Sequence, residues 1–465
     1  MPKNSIFRYL RASLAKVRLG KLTRRQAIAL GLVAAVILVG FLPIVGCPLR
    51  LSRPGVTITL WDAPRWPDES GNRYHWMQRK IAEFEGQHPL AEVILVPVEW
   101  SSLRAMLNSA KEAGQFPDIA PLDISAGGIT LAEVEAGLLE PVDNFIAKRK
   151  DISPQALAAY TYGDQLWGFP SSMTGHSLLL NLDLFAERGV PVPVNGQWTW
   201  EEFRSACRKL TFDRDKDGRT EVYGFGTYIL PGYYEVWPFL YLDGARPLSD
   251  DLTQYTLGSP QGVSALKKLT DLIYVDKAAH PSTGSSAVRG LFDLFGKKDK
   301  QEIAIEPWSA WAIDYLKTQE GMITNVGVAE YPSGVGGASV SVGGTGGFVV
   351  FRQDDAYRRS QIVALANYLT SAASQYELAR GARVFPARRQ ALDLEPFGDD
   401  PLYARAAEIA FNAESLPRHP AWPDIERAIQ REVQMALLGI KSPEEALAEA
   451  GVAVEKLLVA AAAKP

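Results

Sequence analysis

Aromatic rings and carboxylates fall together where the apolar runs of this sequence stop. Trp61 and Asp62 close the alternating run that starts at Val56, with Arg65 and Trp66 just beyond; Asp123 follows Ile119 to Leu122; Glu306 and Trp308 follow Ile303 to Ile305. Tyr233 and Trp237 stand in an aromatic-rich stretch from Ile229 to Leu242. Flat aromatic faces stack on the C–H faces of sugar rings, while carboxylates and guanidinium groups bond hydroxyls, so this set suits a carbohydrate cleft. The chain holds 11 Trp, and Trp76, Trp100, Trp198 and Trp200 read instead as packing residues.

Catalytic chemistry finds little to stand on. The five His residues (75, 88, 176, 280, 419) are scattered with no HExxH pair, and no Gly-x-Ser-x-Gly elbow is present. The glycine-rich stretch Ser333 to Gly347 lacks the Gly-Lys-Ser/Thr of a phosphate loop. A pair of acids for glycoside hydrolysis cannot be read from spacing. Asp213, Asp215, Asp217 and Gly218 imitate a calcium loop, but the twelfth position is Gly224 where a bidentate Glu is needed, so a charged turn is the preferred reading. Cys207 falls on the apolar side of a helical pattern with Phe203 and Leu210, as a buried thiol. No disulfide framework, metal site or cofactor is expected.

The N-terminus reads as an export signal. Eight of the 49 Lys and Arg residues and none of the 53 acids lie in residues 1–46, and an apolar run from Ala27 to Val45 follows the basic region. Ile44-Val45-Gly46-Cys47 resembles a bacterial lipobox, which makes Cys47 the lipid-modified first residue of the mature chain. An uncleaved membrane helix is the competing reading, since the run is about long enough to span. Thr23-Arg24-Arg25-Gln26 looks like a twin-arginine signal with Ala27 in place of Phe, so the general secretory route stays open. The acidic body has no clustered basic face, which excludes nucleic acid as a partner.

At 465 residues, two domains are expected beyond the leader. Val56 to Trp61 reads as a strand, Tyr74, Met77, Ile81 and Phe84 as a helix, and Val93 to Val98 as a second strand. That is a βαβ unit, whose parallel sheet binds ligands beyond the carboxyl ends of its strands. Two small-residue passages, Ser171 to Gly175 and Gly343 to Gly347, read as crossovers between lobes, and a third is expected near Pro401. Leu166 to Pro170 reads as a strand stopped by Pro170, and Trp308 as the start of a helix with Ala312 and Tyr315. Thr199/Glu202, Ser374/Glu377 and Ser442/Glu445 read as capping boxes.

Tyr162 to Phe185, with its glycine-aromatic-proline strand, apolar strand, Asn181 and Asp183-Leu184-Phe185, is similar to the interlobe segment of the extracellular solute-binding proteins of sugar-type ABC importers. Gly114 to Ile119, Trp198 to Phe203, Tyr223 to Phe225 and Ile303 to Trp308 resemble further segments of that family, in order. Arg383, Phe385 and Pro386 resemble its late loop at the cleft mouth. The resemblance implies an α/β, two-lobe periplasmic-binding-protein-like fold with a hinge and discontinuous lobes. The first lobe takes residues 55–171 and 346–400, the second 172–345 and 401–465, behind a signal peptide (1–46) and a lipid-anchored tether (47–54). It further implies a non-enzymatic monomer that delivers a mono- or oligosaccharide to ABC permease subunits. A secreted carbohydrate-active enzyme or surface adhesin is the alternative. Trp61, Asp62, Arg65, Trp66, Asp123, Ser172, Tyr233, Trp237, Glu306, Trp308, Thr345 and Arg383 are the expected ligand residues. Trp237 and Trp308 are expected to stack on sugar faces, and Asp62, Asp123 and Glu306 to accept hydroxyl hydrogen bonds.

Overall fold

A computed structural model describes residues 55–124, 128–286 and 288–462. The leader, the tether and Cys47 lie outside these residues, as does Ser125. Strand β1 (Val56–Asp62), helix α1 (His75–Gln87) and strand β2 (Ala91–Pro97) form the expected βαβ unit: β1 and β2 are parallel and in register from Val56↔Ala91 to Asp62↔Pro97. Trp76, Met77, Ile81 and Phe84 are the buried stripe of α1, at the 3.6-residue spacing that makes one helix face. Helix α2 (Leu103–Ala113) ends at Gly114 in the left-handed conformation and returns the chain to β3 (Ile119–Ala120), again parallel to β1. Asp118 holds this junction, accepting from the Thr59 amide at 2.8 Å and pairing with Arg358 at 2.6 Å.

After a two-strand hairpin, β4 (Thr161–Tyr162) and β5 (Gln165–Leu166), the chain enters β6 (Phe169–Gly175) and β7 (Ser177–Asn181). Pro170 does not stop the strand. Its carbonyl accepts from the Gln375 side chain at 2.9 Å, and β6 continues to Gly175. Only His176 separates β6 from β7, and these two strands belong to different sheets. Helix α3 (Trp200–Lys209), β8 (Tyr223–Phe225), helix α4 (Pro260–Tyr274), β9 (Ile303–Trp308), helix α5 (Ala310–Thr318) and β10 (Val326–Ala329) follow, giving a four-stranded sheet in the order β10-β7-β9-β8. Trp308 is the last strand residue rather than the first of a helix. The chain returns in β11 (Val342–Val350), then α6 (Ala356–Leu369), α7 (Ala372–Ala382) and β12 (Phe385–Pro386). The seven-stranded sheet runs β12-β6-β11-β3-β1-β2, with β13 (Glu414–Ser415) pairing β11.

Both small-residue passages are therefore paired strand. β6 and β11 run antiparallel from Gly343↔Gly175 to Phe348↔Phe169, with a register shift at Gly346/Gly347. The change of sheet falls at His176 and between Ala329 and Val342, a few residues from the passages the small side chains suggest. The glycines serve close packing: a Cβ on Gly175 would meet the Ala410 Cα at 2.5 Å. Ala410 lies on α8 (Pro401–Phe411), which packs against strands of both sheets, β6 and β10, and against α5. The last helices, α9 (Trp422–Leu437) and α10 (Pro443–Ala462), pack on each other and on α4.

Two apolar clusters hold this together. Leu178 and Leu180 of β7 face one with α4, α9 and α10; Leu179 faces the other, which continues through α8 into the seven-stranded sheet. Thr199/Glu202 and Ser442/Glu445 form reciprocal cap bonds. Ser374/Glu377 does not: Ser371 caps α7, Ser374 Oγ turns back to the Tyr368 carbonyl at 2.7 Å, and Glu377 pairs with Arg79 and Lys80. Cys207 is buried on α3. Among the described residues, no helix is long and apolar enough to cross a membrane.

Candidate functional site

A cavity of about 1220 Å³ lies beyond the carboxyl ends of β1 and β3, where a parallel sheet leaves its strand exits open. The β1 exit contributes Arg65 and Trp66. Asp62 is fully buried beneath them, and Arg65 Nη1 reaches its two oxygens at 2.5 and 2.6 Å. Burial pushes the Asp62 carboxyl above its ordinary value, and the Arg65 guanidinium works against that shift. Arg65 also lies over the Trp76 ring at 4.9 Å, so its planar group is clamped on two sides. Trp66 lies on the backbone of Gly381, where a Cβ would come within 2.1 Å of the indole. Glycine is required there because the ring occupies the space a side chain would need.

The β3 exit gives Asp123, the β6 ladder Ser171 and Ser172, and its partner strand Thr345, Gly346 and Gly347. Tyr160 lies beneath this ladder. Its hydroxyl donates to the Leu122 carbonyl at 3.2 Å, and burial together with Asp123 raises it well above the usual tyrosine range. The end of α7 brings Arg380 and Arg383. Arg383 adopts a left-handed conformation (φ 57°) that ends the helix, and its Nε bonds Asp314 Oδ2 of α5 at 3.0 Å. That ion pair joins an element following the four-stranded sheet to one that leads into β12 of the seven-stranded sheet. Thr318 and Gln319 complete the α5 side.

Six of the expected residues thus line one cavity: Arg65, Trp66, Asp123, Ser172, Thr345 and Arg383. Asp62 acts through Arg65, and Trp61 is buried in β1. The remaining four do not line it. Trp237 has no exposed surface; it packs on Trp422 with ring centroids 5.5 Å apart, inside the second apolar cluster. Trp308 is 1% exposed and held by Phe292 (4.8 Å), Trp311 (5.1 Å) and Tyr228 (5.2 Å). Glu306 is wholly buried, and Tyr233 is 42% exposed against the edge of Tyr228. For Trp308 the cause is that an aromatic at a strand exit has core on one side and cleft on the other, and only the path of the following chain decides which it faces.

Conversely, Trp100 is 55% exposed and lines the cavity, its indole N–H donating to the Pro64 carbonyl at 2.9 Å. Its place three residues beyond β2 is the signal that could have found it. Arg380, Asp314, Thr318 and Gln319 carry no such signal, because they sit within or at the ends of helices rather than at strand exits.

The acidic loop folds on itself. Carboxylate oxygens of Asp213, Asp215, Asp217 and Glu221 lie within 4.8 Å of one another. Asp213 accepts from the amides of Lys216 and Gly218, and Asp217 from that of Arg219, which is the geometry of a charged turn.

Residues 80–405 match the family described as Bacterial extracellular solute-binding protein. The chain belongs to this family. Its members are non-enzymatic components of transport, which removes the enzyme alternative. A curated relative, an uncharacterized lipoprotein in the oleD 5′ region of Streptomyces antibioticus, is 24% identical over 371 residues, covering 74% of this chain and 75% of that protein. Among solved structures, the solute-binding chain is similar to the sugar-binding protein MalE of Xanthomonas citri (TM-score 0.72, 19% identity, 87% of this chain and 98% of that one). It is also similar to the GacH receptor of Streptomyces glaucescens, solved unliganded and with acarbose (TM-score 0.63, 23% identity, 88% and 99% covered). The cyclic α-maltosyl-1,6-maltose binding protein of Arthrobacter globiformis is a third such neighbour (TM-score 0.69, 19% identity, 87% and 99%). These likenesses give the α/β periplasmic-binding-protein fold.

Proposed function

We propose that this solute-binding protein is the extracytoplasmic receptor of an ABC importer, that it binds a mono- or oligosaccharide in the cavity between its lobes, and that it is held to the membrane by lipid on Cys47. The observation that carries the ligand class is the lining. Trp66 and Trp100 offer two indoles beside Asp123, Ser172, Thr345, Arg380 and Arg383, so apolar faces and hydroxyl partners meet in one space large enough for several sugar rings. Sugar ligands named for the structural neighbours support the same class. Two of the cavity's cations are committed to carboxylates, Arg65 to Asp62 and Arg383 to Asp314, which disfavours a phosphate ligand. The lobes are divided near His176 and before Val342, and opening about these strands releases the sugar to permease subunits. The monomer is the working form.

The test is a thermal-shift screen of neutral mono- and oligosaccharides followed by product analysis. A saturable shift with no new sugar released supports the receptor. No shift with any saccharide would overturn the ligand class.

A further inference from the structure

Behind the cavity is a buried acidic cluster that the ligand reading above does not use. Glu306 of β9 has no exposed surface, and neither of its oxygens has a hydrogen-bond partner. The Trp308 indole N–H lies close enough to favour the charged form but makes no hydrogen bond to it. Glu235 is also buried. One oxygen pairs with His176 Nε2 at 2.9 Å and takes the Tyr228 hydroxyl in a short contact; the other is unpartnered. The two carboxylates are close enough to repel. Among the described residues, no Lys or Arg forms an ion pair with either, and His176 pairs with Glu235 alone.

Rings enclose this cluster. Tyr228 packs on Trp308 at 5.2 Å and on the exposed Tyr233 at 5.6 Å, and Tyr331 donates to the Glu235 carbonyl at 3.2 Å. Tyr234 touches both the cluster and the strand that lines the cavity. Its ring is 5.4 Å from that of His176, its hydroxyl crowds Gly344 beside the cavity residue Thr345, and Asp123 acts on it electrostatically. A buried carboxylate without a counter-charge is costly, and carboxylates framed by aromatic faces are the surroundings that an ammonium group prefers.

We propose that Glu235 and Glu306, framed by Tyr228 and Trp308, form an ammonium subsite, so that the saccharide this receptor selects carries a protonated amine. This deepens the carbohydrate reading and rests on it. The ammonium group supplies the positive charge against which Glu306 gives up its proton to solvent, the hydroxyls remain with the cavity residues, and Tyr234 turns aside to join the two spaces.

Titration calorimetry on the full chain in detergent, with matched sugars, tests this. Glucosamine, galactosamine and the β-1,4-linked glucosamine disaccharide are each compared with their N-acetylated and 2-hydroxyl counterparts. The amine form is expected to bind at least tenfold more tightly, and that ratio is expected to fall to near one in Glu306→Gln, with Glu235→Gln reducing it too. Thermal unfolding confirms that the variants are folded; if Glu306→Gln does not fold, Glu235→Gln carries the comparison. Binding of the neutral sugars with no amine preference would overturn this inference and leave the carbohydrate receptor standing. A preference that survives both substitutions would overturn it as well. No binding by any saccharide would overturn both readings.

Discussion

Glu306 is where a single residue says most about the molecule, because its burial separates the folded from the unfolded state in charge. Its carboxyl is raised well above the ordinary 4.5, chiefly by desolvation, with Glu235 adding to the rise. Below pH 4.5 the group is protonated in both states. As pH rises beyond that, the unfolded chain releases the proton while the folded chain keeps it, so the stability Glu306 contributes is lost toward the folded pKa. Glu306→Gln removes this dependence. Its melting temperature is expected to exceed that of the parent at pH 7 and to converge on it near pH 4.5, measured by thermal unfolding across that range; a constant offset would show that Glu306 titrates alike in the folded and unfolded chains. The residue types at the site were partly legible. Arg65, Trp66, Asp123, Ser172 and Thr345 lie at or near strand exits or on the ladder, which sequence order reveals, and Arg383 came from the resemblance to the family's late loop. Trp308 was placed in the cleft because sequence shows that a ring ends a strand but not which way it turns, and Trp237, in an aromatic-rich stretch, begins a short helix that buries its ring.

Elements were legible where their signals are local. The β1-α1-β2 unit and the caps at Thr199 and Ser442 come from periodicity and short-range hydrogen bonding. The Ser374 cap failed because α7 begins earlier, at Ser371, whose side chain reaches the Ser374 amide. The two small-residue passages were read as crossovers between lobes, whereas their antiparallel pairing with each other across about 170 residues is a non-local choice that composition cannot show. Close approach is the better guide to what such glycines do. Gly381 lets the end of α7 lie against Trp66, and Gly381→Ala places a methyl group inside the indole. Overpacking of this kind costs about 1–3 kcal/mol. The expected result is a folded protein with a lower melting temperature and weaker ligand binding through the displaced Trp66. Unchanged affinity would show that the ring position is not used.

At the scale of the whole molecule, the proposed receptor has to open and close about its ligand. Arg383 and Asp314 bond at 3.0 Å between the elements on either side of the cavity, so Asp314→Asn is expected to weaken the closed arrangement and speed ligand release, read as a faster dissociation rate in stopped flow. Equal rates would assign the pair to packing alone. Cys47→Ala is expected to abolish incorporation of labelled fatty acid, and labelling that persists would favour an uncleaved membrane helix. The central claim is that Trp66 and Trp100 hold a sugar at the exits of a parallel sheet. An aromatic anchor at a buried site costs about 2 kcal/mol or more when truncated, roughly thirtyfold in affinity. The most direct measurement is a calorimetric titration of parent, Trp66→Ala and Trp100→Ala with the best saccharide from the screen. The account predicts a thirtyfold or greater loss for Trp66→Ala with its fold intact, whereas unchanged affinity in Trp66→Ala would contradict it.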